Sequence, residues 1–445
     1  MIKRLLTVVG VVAATSILYS SAQATAPDQI LGAAGASAQA VSIVTPLDVV
    51  SVGQISALTA DVWARTAAAA DDAHAAWAAG RSASVPMNSV RRGDAFVQRA
   101  PGGYHIPMST TVLPASAVGA LMGRTIAAPL ASGQVVMGST TARLRGALVG
   151  DTVDLLSAGG TVYSYQVGLI ADDAIVGGTE LLISEPQADQ LGIDIVSRIV
   201  IWGFSSRSEL EAQLAARGLT NSKGIRIRHS WEPANPDSTL GLARTKELLG
   251  EFAYSVNTSE EVSITADWAA RFIPSTRQLF QSIGIRAQCN VVVRDDLQAA
   301  LTEIAAAGLA GQIDVANANT YGGCYYPRFN RVTGTMGFLS RHTWGMALDT
   351  NTVSNAQGSR PQMNCDVVRI FRKHNFAWGG NFVSSDGMHF EWVGERRDLL
   401  PYPSTYCPND GSPPATESVS GGRQPLITGT ERATLFANDG WGGDD

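Results

Sequence analysis

Two short stretches constrain this chain more than anything else in it: Ser340-Arg-His342-Thr-Trp-Gly345-Met-Ala347-Leu-Asp349, and then Ser385-Asp386-Gly387-Met388-His389-Phe390-Glu391-Trp392. They hold two of the six histidines of the chain, His342 and His389, and three carboxylates, Asp349, Asp386 and Glu391. Imidazole nitrogen and carboxylate oxygen are ligand types of catalytic zinc, which keeps three protein ligands and one open position. Such a metal lowers the pKa of a bound water to near neutral and polarises a carbonyl oxygen. His342 and Asp349 stand seven residues apart, too far for one face of a short strand. They suit successive segments joined at a bend, and Gly345 supplies the bend. His389 arrives from a separate strand, predicted over residues 388–392. Residues two apart on a strand share a face, so His389 and Glu391 point the same way. Asp386 precedes that strand on a Ser-Asp-Gly turn, within reach of a metal-bound water.

The pattern Ser-x-His-x-x-Gly-x-Ala-x-Asp, followed by Asp-x-Met-His-Phe-Glu, resembles the zinc D-alanyl-D-alanine carboxypeptidases of the M15 peptidase family. The likeness is to the VanY and endolysin-peptidase type, which shares a core with the Hedgehog signalling domain. The residues that carry it are Ser340, His342, Gly345, Ala347 and Asp349, then Asp386, Met388, His389, Phe390 and Glu391. The runs Tyr321-Gly-Gly-Cys324-Tyr-Tyr-Pro-Arg328 and Phe376-Ala-Trp378-Gly-Gly380 also look like that family. The resemblance spans roughly residues 240–407 and leaves the first half of the chain untouched. It implies that His342, Asp349 and His389 hold Zn2+ and that Asp386 is the general base. It also implies an arginine near Arg328 for a substrate carboxylate or a developing oxyanion, a task that suits the forked guanidinium. Glu391 is the rival base, or else a carboxylate that orients a ligand, a common arrangement around metals. Ser340 either binds the substrate carboxylate or caps its own motif. Trp378 is expected to line the substrate pocket or, like Trp344 and Trp392, to sit in the core.

Length and charge bound the remaining possibilities. A chain of 445 residues has room for two or three domains. Its net charge of -6 and pI near 5.6, with no Lys/Arg block, argue against a nucleic-acid partner. Lys3 and Arg4, an apolar run over residues 5–18 and Ala22-Gln23-Ala24 have the layout of an export signal. The run is short for a membrane span, so the mature chain is expected to begin at Thr25, outside the cytoplasm and without a stable span. All four cysteines, Cys289, Cys324, Cys365 and Cys407, fall in the C-terminal half. An even count in an exported chain implies two disulfides, and the sequence leaves all three pairings open.

Local patterns divide the chain further. After the signal at 1–24, residues 25–85 are expected to form a linker and an Ala-rich helix over Leu58–Ala79, stopped by Gly80. Residues 86–205 alternate Val/Ile/Leu runs with Gly, Pro and Ser, and Thr152–Val167 reads as a hairpin. This marks a small β-rich domain, in the shape of a barrel, with a binding or positioning role. Residues 206–239 give a short helix and a Pro-punctuated linker. The resemblance makes residues 240–407 the expected zinc peptidase domain, in which local patterns place helices at 240–254, 295–307 and 366–375. Residues 408–445 read as a disordered tail. The fold class expected is therefore multidomain: a C-terminal α+β, Hedgehog/DD-peptidase-like zinc domain preceded by a small β-rich domain. The function expected is hydrolysis of peptidoglycan stem peptides by a D,D-carboxypeptidase. The alternatives are an L-Ala-D-Glu-type endopeptidase of the same fold and a non-catalytic zinc-containing wall-binding protein.

Overall fold

Along the segment from Ala76 to Arg92, side chains alternate between buried and partly exposed at both ends and are buried throughout the middle. A strand this long can serve different neighbours along its length, and it does. The strands β1 (Val49–Gly53), β2 (Ala76–Arg92), β3 (Ala95–Arg99), β4 (Ile106–Val112) and β5 (Val135–Gly138) belong to one sheet. So do β6 (Thr152–Leu156), β7 (Val162–Ala171), β8 (Leu181–Ile183), β9 (Val196–Trp202) and β10 (Arg226–His229). The middle of β2 pairs with β4, while its other edge takes β9 over Ala76–Arg81 and β6 over Met87–Arg91. Because β2 meets both β4 and β6, the strands β2-β4-β8-β5-β7-β6 close into a six-stranded barrel. Strands β9, β1 and β10 extend from β2 as an antiparallel layer. Val85, Met87, Met108, Val135, Met137, Val153, Leu155, Val167 and Leu181 pack together as its core. Closure leaves no free edge on those six strands, and each such buried side chain contributes roughly 1.5–3 kcal/mol over exposure.

The structure is a computed structural model that describes residues 47–222, 224–316 and 321–411. The expected export signal and nearly all of the expected tail lie outside the described residues. The part of that tail that is described is anchored: Asn409 donates from Nδ2 to the Arg397 carbonyl at 2.7 Å and its own carbonyl accepts from Tyr402. The Ala-rich helix runs over Ala60–Asp72, with Thr59 as its cap, and ends before the expected point. Residues 76–79, assigned to that helix by propensity, are the start of β2. Residues 49–53, read as linker, are β1. Among the described residues no helix is long and apolar enough to cross a membrane.

The C-terminal region begins with a helix over Leu242–Leu249, shorter than the expected 240–254 because Tyr254 opens a strand. It continues with two hairpins, β11 (Tyr254–Val256) with β12 (Val262–Ile264) and β13 (Gln278–Phe280) with β14 (Ile285–Ala287). Its centre is a three-stranded antiparallel sheet of β15 (Ala347–Asp349), β16 (Phe376–Trp378) and β17 (His389–Trp392), in the order β15-β17-β16. The sequence of β17 alternates polar and aromatic residues, so strand geometry puts His389 and Glu391 on one face and Phe390 and Trp392 on the other. Phe390 stacks on Phe371 of the helix Cys365–Lys373, ring centroids 3.9 Å apart. Leu297, Leu301 and Ile304 of the helix Arg294–Ala306 complete this core. The aromatic face of β17 is thus spent on the core, and its polar face is left for chemistry. The cysteines pair as Cys289–Cys324 and Cys365–Cys407.

Barrel and C-terminal region meet through buried charge. Arg145 reaches Glu180 at 3.1 Å and Glu251 at 2.6 Å, and Lys246 reaches Glu180 at 2.9 Å and Glu251 at 3.3 Å. Two cations and two anions balance, which is the condition for burying them without an uncompensated charge. Burial pushes the Glu251 carboxyl up, but the charges of Arg145 and Lys246 and the hydrogen bond from Gln98 outweigh it and hold the group below the usual glutamate range. His105 and Tyr254 exchange backbone hydrogen bonds at 2.8 Å across the same junction. Gly337, at φ 78°, sits so close to β2 that a Cβ there would lie 2.3 Å from the Ser84 carbonyl oxygen.

Candidate metal centre

The first histidine is held by a single 3-10 turn, Arg341–Trp344. Ser340 caps it, its hydroxyl accepting the His342 N–H at 3.2 Å, and Gly345 ends it at φ 65°. Only glycine fits there without strain: the φ is left-handed, and a Cβ would lie 2.9 Å from the Asn290 nitrogen. The chain then turns directly into β15 and delivers Asp349. In the register of the sheet, Asp349 pairs with His389 and Ala347 with Glu391. Two separate motifs are therefore brought together by one antiparallel ladder.

His342 Nε2 lies 3.4 Å from Asp349 Oδ2, and His389 Nδ1 lies 3.2 Å from Asp349 Oδ1. The two imidazoles stand nearly at right angles, centroids 5.3 Å apart, with the carboxylate between them. One ligand atom from each of the three residues falls within 4.8 Å of the other two, so the trio can hold a metal ion. The tautomers agree with that. His342 Nδ1 lies 3.2 Å from the Cys324 carbonyl oxygen, which can only accept, so the proton sits on Nδ1 and the lone pair is on Nε2, facing Asp349. His389 shows the opposite arrangement: its Nε2 lies 3.6 Å from Glu391 Oε2 and its Nδ1 faces Asp349. Both histidines are almost fully buried, and Asp349 keeps 15% of its side chain exposed.

The other expected residues stand on the segments that carry this trio or pack beside them. Glu391 is fully buried between His389 and Arg341, whose Nε is 3.4 Å from Glu391 Oε1. Arg341 is itself fixed, donating to Thr245 Oγ1 and to the Leu240 carbonyl. Glu391 thus stands between a guanidinium and the His389 ring, at ion-pair rather than hydrogen-bond distance from both. Asp386 is fully buried on the turn before β17, with its N–H on the Gly379 carbonyl at 2.8 Å and its carbonyl accepting from His389 N–H. Arg328 is bound through its backbone to the first motif: its carbonyl accepts from Ser340 N–H and from the Thr343 hydroxyl. Its guanidinium donates to the Phe329 carbonyl and lies 5.8 Å from the Tyr326 ring. Trp378 is fully buried, and its indole N–H donates to the Gly387 carbonyl at 2.9 Å. Of the two places expected for this indole, pocket wall or core, it takes the core, where it braces the turn that carries Asp386.

Several contributors were not singled out from sequence. Gly379 allows the Asp386 turn to approach: a Cβ there would stand 2.5 Å from the Asp386 carbonyl oxygen and 3.1 Å from His389 Cβ. Gly322 plays the same part for Asp349, where a Cβ would be 3.2 Å from Oδ2. Both lie in the Gly-bearing runs that the sequence offers, but only the fold shows what approaches them. Arg341 carried a signal, as a charge beside a ligand. The Cys324 carbonyl carried none, because a backbone group has no letter.

Residues 333–392 match a peptidase M15 family model described as D-alanyl-D-alanine carboxypeptidase. The match takes in His342, Asp349, Asp386, His389 and Glu391, and the C-terminal region is M15 peptidase-like. Over 128 residues the chain is 32% identical to dihydroxy-acid dehydratases from Microcystis aeruginosa and Thermosynechococcus vestitus. It covers 28% of this chain and 19% of each relative, so the chain spans about a fifth of the length of the curated relatives it matches. A match of that extent defines no shared family.

Proposed function

We propose that this protein is an exported zinc-dependent peptidase that hydrolyses peptidoglycan stem peptides, in the first instance as a D,D-carboxypeptidase. On this reading the C-terminal region has the Hedgehog/DD-peptidase-like α+β fold, and the barrel is a β-rich module that precedes it and packs against it. The observation that carries the reading is the His342–Asp349–His389 trio, at metal-holding distances inside the stretch that matches the peptidase family. Two disulfides accord with an oxidising compartment.

His342 through Nε2, Asp349 through its carboxylate and His389 through Nδ1 would hold the zinc. When bound, zinc supplies a Lewis acid and a water of near-neutral pKa. Asp386 takes the proton of the attacking water and returns it to the leaving amine, the work of a general base that becomes a general acid. Glu391, backed by Arg341, would help keep the His389 ring turned with Nδ1 toward Asp349, where it can serve as a ligand. Arg328 supplies a fixed positive charge for the substrate carboxylate or the oxyanion, and Ser340 holds the turn of His342.

Incubating the protein with purified muropeptides and weighing the products tests this. Loss of one D-alanine from pentapeptide stems is the expected result. Cleavage between L-Ala and D-Glu would reassign the bond while keeping the peptidase, and intact stems under zinc-replete conditions would overturn the peptidase reading.

A further inference from the structure

We infer that the Cys289–Cys324 disulfide is a positioning element of the metal centre, which holds the His342 turn in its ligating orientation. The inference rests on the reading of the trio as a zinc site, and it concerns how this chain builds that site.

The His342 turn is gripped from two sides. On one side stands Asn290, the residue after Cys289. It is fully buried, its N–H donates to the Gly345 carbonyl at 2.9 Å, and its Nδ2 donates to the Trp344 carbonyl at 3.1 Å. Both carbonyls lie at the end of the turn, where a 3-10 helix leaves acceptors without partners. On the other side stands the segment around Cys324. The Cys324 carbonyl accepts from His342 Nδ1, and Tyr326 N–H donates to the His342 carbonyl at 3.0 Å. Two residues earlier, Gly322 N–H donates to the Asp349 carbonyl at 3.0 Å. Residues 322–326 therefore touch both ligands of the first motif, and residue 290 touches the turn between them. These two grips come from segments 35 residues apart in sequence, and the Cys289–Cys324 bond is what joins them covalently.

The consequence is specific to the imidazole. Without the covalent tie, the Cys324 carbonyl is free to drift from Nδ1, and the ring loses the hydrogen bond that fixes both its tautomer and its rotation. The other disulfide is a natural control. Cys365 opens the helix Cys365–Lys373, and the Cys407 carbonyl accepts from Arg372 of that helix at 2.7 Å. It staples the helix on the aromatic face of the sheet.

The test is the zinc dissociation constant, measured by competition with a chromophoric chelator, for the wild-type protein and for two double variants. Cys289→Ala/Cys324→Ala is expected to weaken zinc by about 10–100-fold, the range seen when partners of metal ligands are lost. Cys365→Ala/Cys407→Ala is expected to lower the melting temperature and leave zinc affinity within about threefold of wild type, well short of that range. Equal zinc affinity in folded Cys289→Ala/Cys324→Ala overturns the inference, and so does an equal weakening in both double variants. Should Cys289→Ala/Cys324→Ala not fold, reduction of Cys365→Ala/Cys407→Ala with a phosphine decides. Cys289–Cys324 is then the one disulfide left to break, so a weakened zinc affinity after reduction supports the inference and unchanged affinity overturns it. Failure of the wild-type protein to bind zinc would instead strike at the metal reading itself.

Discussion

Asp386→Asn is expected to keep its zinc and lose about 10²–10⁴-fold in kcat, the usual contribution of a general base. The amide is nearly the same size as the carboxylate, so packing of this fully buried side chain is preserved. What disappears is the ability to take a proton. Glu391→Gln is expected to behave differently, because Glu391 lies between Arg341 and His389 Nε2. Its neutralisation leaves the Arg341 charge buried without its carboxylate and loosens the hold on a ligand, a loss that typically costs about 10–100-fold in metal affinity or activity. Measurable turnover should therefore return when zinc is in excess. The two variants are separated by kcat at saturating zinc, read alongside metal content. A zinc-loaded, inactive Glu391→Gln beside an active Asp386→Asn would exchange the two roles.

Gly379→Ala is expected to cripple the site from outside the ligand set. The added methyl would stand 2.5 Å from the Asp386 carbonyl oxygen and 3.1 Å from His389 Cβ. Neither is the end of a flexible side chain, so relief requires the backbone of the Asp386 turn to move. Overpacking of this kind costs about 1–3 kcal/mol of stability, and a displacement of about 1 Å near reacting groups can cost 10²-fold in rate. Gly323→Ala is the control, since a Cβ there meets nothing within 4 Å. The expectation is a fall of about 10²-fold in kcat for Gly379→Ala with Gly323→Ala near wild type. Comparable activity in both would show that the close approach at Gly379 has no bearing on the site.

The metal trio was legible in the sequence because its chemistry is written in side chains at fixed spacing, and β17 spells its own two faces. Other parts were written in terms the sequence does not display. Strand β1 is buried on every residue, so Val49-Val-Ser-Val-Gly53 shows no alternation and reads as linker. The start of β2 is alanine-rich, and helix propensity is a weak prior that pairing with β9 overrides. Gly80, which reads as a helix stop, is a strand residue facing Arg198, where a Cβ would be 2.8 Å from the Arg198 side chain. The Pro-punctuated run before residue 240 reads as a tether. Yet Asp237 within it is buried, takes both arms of Arg372 and also accepts from Trp378 N–H and Asn381 Nδ2. Its partners lie far along the chain, and no local pattern announces them.

The most direct test of the central claim is hydrolysis of muropeptides by protein stripped of metal with a chelator, exchanged into metal-free buffer and checked for metal content. The account predicts that this apo-protein is inactive, that one equivalent of zinc restores wild-type hydrolysis, and that His342→Ala is not restored at the same zinc concentration, since three protein ligands are what a catalytic site requires. Undiminished hydrolysis by the verified metal-free protein would contradict it.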